Sequence, residues 1–123
     1  MITALTKKFN THCALANDRL AIAAPVTARI LELKPKFHDI CAEIAATEEG
    51  QFYTTSRVVS AACGRIYAGH QKADRLLACS VRKLRDLLDA ALGENDSFLA
   101  EAIAAKLNQV ETAKRALYAA RIG

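Results

Sequence analysis

Between Ser56 and Leu92 apolar residues and one histidine return at steps of three and four, through Val59, Cys63, Ile66, His70, Ala73, Leu77, Val81, Leu84, Leu88 and Ala91, and no proline interrupts them before Gly93. That spacing is one face of an α-helix, and it predicts a single long third helix over residues 56–92. At 1.5 Å per residue the helix would be about 54 Å long, whereas a compact domain of this size has a diameter of roughly 35 Å. The chain must therefore bend at Gly64 and Gly69 or build an elongated molecule. Elongation is the expectation, with a partner chain as one way to cover the excess length.

The remaining segments repeat the same period. Leu5, Phe9, Cys13, Ala16, Leu20, Ala23, Val26, Ile30 and Leu33 predict a first helix from Thr3, kinked or restarted at Pro25 and ended by Lys34 and Pro35. Phe37, Ile40, Cys41 and Ile44 predict a short second helix over residues 36–48, closed by Gly50 in a left-handed conformation. Thr55 or Ser56 is the expected cap of the third helix, and Gly93 its expected stop. Asp96 or Ser97 caps the last helix, whose apolar side is Leu99, Ile103, Leu107, Val110, Ala113, Leu117 and Ala120. Its acids at the start, Glu94, Asp96 and Glu101, and bases at the end, Lys114, Arg115 and Arg121, suit the helix dipole. The expected architecture is an all-α, elongated bundle of four helices, or five if Pro25 divides the first. A length of 123 residues makes it one domain, residues 1–123.

Composition agrees. Alanine supplies about a fifth of the residues, against five glycines and two prolines, so helix formers dominate. With 52% hydrophobic and 24% charged residues the chain is too apolar for disorder. Charges interrupt every apolar stretch well before the ~18 residues a membrane span needs, so no membrane association is expected. The N-terminus lacks the pattern of a secretion signal, which makes a cytoplasmic location the expectation. Phe52 and Tyr53, in the linker before the third helix, read as core plugs, with an exposed aromatic anchor as the alternative.

Net charge is +4 but unevenly spread. Arg57, Arg65, Lys72, Arg75, Arg82, Lys83 and Arg85 face a single acid, Asp74, between residues 57 and 85, so this stretch is +6 and the rest of the chain −2. All but Arg85 fall within a sector of roughly 100° opposite the apolar register. Aligned cations repel one another unless solvent, counter-ions or an anionic partner offset the repulsion. The stripe thus reads as a solvated face helped by pairs such as Arg82 with Asp86 and Arg85 with Asp89, or as a binding face. The partner expected for a binding face is an acidic protein surface, with nucleic-acid phosphates as the alternative.

Candidates for chemistry are few. The four cysteines have no CxxC spacing and read as reduced thiols, Cys13, Cys41 and Cys63 as small hydrophobes in helices. Cys79 falls among the cations, which favour a thiolate, and is the candidate reactive thiol. His38 with Cys41, or His12 with Cys13, makes a weak metal pattern, and neither a metal nor a cofactor is expected. His70 lies on the apolar register and reads as a hydrogen-bonded core or interface histidine. Asp39 with Glu43 and Glu48 with Glu49 are neighbouring carboxylates on a solvated face. Small residues Ala61, Ala62, Gly64, Ala68 and Gly69 allow a close helix crossing within the chain or in a dimer. The functional expectation is a non-enzymatic protein-interaction or assembly module, self-association included. A nucleic-acid-binding protein comes second and a small enzyme using Cys79 or His70 third.

Overall fold

The computed structural model describes residues 3–122, and the chain is all-α. Its helices are α1 (Ala4–Leu33), α2 (Phe37–Ala45), α3 (Thr55–Ile66), α4 (His70–Gly93) and α5 (Ser97–Ile122), with single 3-10 turns at Lys34–Lys36 and Gly50–Phe52. No strand occurs among the described residues, and none of their helices is long and apolar enough to cross a membrane.

The described residues form five helices, but the division expected at Pro25 lies elsewhere. Thr3 caps α1 by accepting from the Thr6 amide at 3.1 Å, and the helix then runs unbroken through Pro25. Pro25 and Ala21, whose carbonyl loses its amide partner, are both exposed, so water can take up the unmatched acceptor. The predicted long third helix is instead two helices. Gly69 adopts φ +81°, a left-handed conformation that ends the register between α3 and α4. The corner is held from outside, because the Arg29 guanidinium donates to the Ala68 carbonyl. Gly64 stays helical inside α3, with open space where a Cβ would stand. The conflict between a 54 Å helix and a compact body is thus resolved largely by a break. Elongation persists in α1 and α5, whose 30 and 26 residues rise about 45 and 39 Å.

Other boundaries shift for local reasons. Gly50 is not left-handed; it opens the 3-10 turn, and a Cβ there would land on the Ile44 carbonyl oxygen. The cap of α3 is Thr54, whose hydroxyl accepts from the Arg57 amide at 3.2 Å, not Thr55 or Ser56. Gly93 is the last residue of α4 and does not stop it. Asn95 takes the left-handed position at φ 57°, while the amides of Asn95 and Asp96 donate to the Leu92 and Ala91 carbonyls. That is a Schellman closure, with Asn in the place glycine more often fills. Asp96 then caps α5, its Oδ1 accepting from the Leu99 amide at 3.0 Å.

The body is a three-helix bundle of α1, α4 and α5, which pack extensively on one another, while α2 and α3 pair as a hairpin touching α1 mainly through α3. Asn17 meets Lys106 and Lys34 meets the Ala120 and Arg121 carbonyls, so α1 and α5 run parallel. Arg19 meets Ser80, and Gly69 lies beside Val26, so α4 runs against α1. The side chains of Ile30, Ile66, Leu77, Leu84, Ile103, Val110 and Leu117 are the largest that are fully buried. Each such aliphatic side chain stabilises the fold by about 1.5–3 kcal/mol relative to exposure. Phe52 is 88% exposed and is no core plug, whereas Tyr53 packs against the core. Val59, expected on the buried register, is exposed, and Ala62 with Ile66 forms the inner side of α3 instead.

Candidate functional site: the basic face of α4 and its groove

Breaking the register at Gly69 divides the stripe. Arg57 and Arg65 belong to α3, and both are engaged: the Arg57 guanidinium stacks 4.2 Å above the Tyr53 ring, and Arg65 pairs with Glu43 at 3.3 Å. Lys72, Arg75, Arg82, Lys83 and Arg85 belong to α4, and all five are exposed. Their helix buries Ala73, Leu77, Ser80, Leu84, Leu87 and Ala91. At 100° per residue Lys72, Arg75, Arg82 and Lys83 lie on the opposite side, and none of these four has an ion pair among the described residues. The pairs expected along the helix do not form. Arg85 reaches Glu111 on α5 at 3.4 Å instead of Asp89, because it stands at the edge of α4 that turns toward α5. Arg82 takes no partner in Asp86, which is exposed on the same outward face.

Along that edge runs an open groove of about 640 Å³ between α4 and α5. From α4 it receives Ala78, Val81, Arg82 and Arg85. From α5 come Glu111, Lys114, Arg115 and Tyr118. Val81 is buried and Ala78 half-buried, giving an apolar floor, while the Tyr118 ring is 62% exposed. Four cations therefore line the groove against one carboxylate. Glu111 holds two of them, Arg85 at 3.4 Å through Oε1 and Arg115 at 3.8 Å through Oε2, and Lys114 reaches Asp74 at 3.3 Å. Exposed pairs of this kind are individually worth about 0–1 kcal/mol, so the side chains are held loosely and can change partner.

The α5 half of this groove went unread in the sequence. In the sequence Lys114 and Arg115 stand out only as complements to the helix dipole, and Tyr118 carries no motif. The available signal was spacing: Lys114 and Tyr118 stand four apart, and Tyr118 follows Leu117 outside the apolar register of α5.

The other candidates sit apart. Cys79 is exposed on the outward face of α4, among the four free cations, while Cys13, Cys41 and Cys63 are half-buried; all four are free thiols. His70 is buried at the α3–α4 corner, where the Arg121 guanidinium approaches its Nδ1 at 3.4 Å. Its Nε2 is buried without a hydrogen-bond partner among the described residues. Arg121 also lies over the Tyr67 ring at 5.1 Å, so this histidine belongs to a packed corner. Glu43 is taken by Arg65, and Glu49 accepts from the Tyr53 hydroxyl at 3.3 Å. Among the described residues no three His, Cys, Asp or Glu side chains converge as metal ligands. Of the small-residue patch only Ala62 is buried; Ala61, Gly64, Ala68 and Gly69 are exposed. No protein-family model matches the chain, and no significant match is found among curated proteins or solved structures.

Proposed function

We propose that this chain is a non-enzymatic helical binding module that presents the outward face of α4 to an acidic surface on another protein. The observation that carries the reading is that Lys72, Arg75, Arg82 and Lys83 share one exposed helix face with no ion pair among the described residues. Like charges held together on a rigid element are relieved by an anionic partner, which also gains on-rate from their field. An isologous dimer through this face would oppose cation to cation, so the partner the charges favour is a different protein.

Nucleic-acid phosphates are the second reading, on the same four cations. The two are separated by fluorescence anisotropy of labelled poly-glutamate and of a labelled generic duplex, each at about 50 and 200 mM salt. Poly-glutamate should bind at low salt, and Arg75→Glu with Arg82→Glu should abolish binding while circular dichroism shows unchanged helix content. Duplex binding with a log–log salt slope near −4, the value for about four phosphate contacts, would put the second reading first. Absence of binding to either would remove both.

A further inference from the structure

We infer that the groove between α4 and α5 seats one amphipathic helix of an acidic partner, and that Glu111 occupies in the free protein the place of that partner's carboxylate. The inference rests on the proposed acidic-partner reading but moves the contact to the α5-facing edge of α4, where Arg82 alone of that reading's four cations is joined by Arg85, Lys114 and Arg115.

Charge comes first. Arg82, Arg85, Lys114 and Arg115 line the groove against Glu111 alone, a balance of four to one. The two guanidiniums of Arg85 and Arg115, from different helices, converge on one carboxylate, at 3.4 and 3.8 Å. Two of the groove's four cations are therefore already aimed at a position where a carboxylate sits. Arg82 adds a cation with no ion pair among the described residues at the same wall.

Shape and polarity select the form of the ligand. Residues 78–85 of α4 and 111–118 of α5 define the two walls, each about 10.5 Å or two turns long. Their apolar floor of Ala78 and Val81, flanked by the exposed Tyr118 ring, matches the short apolar stripe of a helix laid into a groove, with anchors at i, i+3 or i+4 and i+7. A phosphate backbone offers nothing to an apolar floor, whereas a helix with acids beside a leucine stripe uses both the floor and the rim. Such a ligand must displace Glu111 from one or both guanidiniums. Glu111 is thus an internal competitor, and this yields a gain-of-binding test.

The probe is a fluorescein-labelled, alanine-based peptide of about 16 residues, long enough to be helical, with glutamates in i, i+4 pairs on both sides of a leucine stripe. Its glutamine-for-glutamate counterpart is the control. Full-length protein should bind the acidic peptide at least about tenfold tighter than the control. Glu111→Gln should tighten binding by about threefold, the scale of one exposed ion pair. Tyr118→Ala should weaken it by about tenfold, and Lys72→Ala with Lys83→Ala, outside the groove, by less than about twofold. Circular dichroism of every variant reports folding, and the expected gain from Glu111→Gln cannot come from a damaged protein. Binding that follows Lys72 and Lys83 and ignores Glu111 and Tyr118 would overturn the groove and leave the basic-face reading standing. No binding of the peptide or of poly-glutamate would overturn both, and displacement of the peptide by duplex with the same Glu111 dependence would assign the groove to phosphates.

Discussion

Two glycines stand five residues apart in the predicted third helix, and a methyl group added to each meets different physics. At Gly64 the backbone is helical and nothing lies within 4 Å of the added carbon, so Gly64→Ala should stabilise the protein by up to about 1 kcal/mol through helix propensity. At Gly69 the added carbon finds room, 3.4 Å from Val26 Cγ2, but φ is +81°, so Gly69→Ala should destabilise by about 1–2 kcal/mol. Urea unfolding of both variants gives the comparison; a neutral Gly69→Ala would mean that α3 and α4 are not held apart by this residue. The sequence marked both glycines as bends and could not rank them. What ranks them is the neighbourhood: the α1 side chains Val26 and Arg29 lie against the corner at Gly69, and none approaches Gly64.

At the scale of elements, α5 was the most legible. Six of the seven residues read as its apolar side are buried, and Ala113 packs against the core. Its start depends on one side chain. The Asp96 carboxylate accepts from the Leu99 amide at 3.0 Å, so Asp96→Ala should cost about 1 kcal/mol in thermal or urea unfolding, while Ser97→Ala should stay within about 0.5 kcal/mol. A larger loss from Ser97→Ala than from Asp96→Ala would move the cap to Ser97. The outward face of α4 was legible too, because helical period alone places Lys72, Arg75, Cys79, Arg82 and Lys83 on one side. Which of its cations find partners was not. Arg85 looked free to pair with Asp89 along its own helix, yet it reaches across to Glu111, since a flexible guanidinium takes whichever carboxylate the packing of the next helix sets beside it.

For the whole molecule, the three long helices and the α2–α3 hairpin should differ in stability. The hairpin buries Ile40, Ile44, Ala62 and Ile66, while α1, α4 and α5 share the rest of the core. Hydrogen exchange should therefore show amides of α2 and α3 opening before those of α4 and α5; uniform protection would instead make the chain one cooperative unit. The periodic placement of apolar residues determined by itself that this is an all-α bundle, where most helices lie, and which side of α4 is outward. These properties are local, since 3.6 residues per turn relates neighbours in the chain without reference to anything beyond it. The tertiary structure alone decided the break at Gly69, the left-handed Asn95, and the α5 half of the groove with Glu111 between Arg85 and Arg115. Each depends on residues far apart in sequence or on which of several allowed turns lets the helices pack, and no period along the chain carries that information.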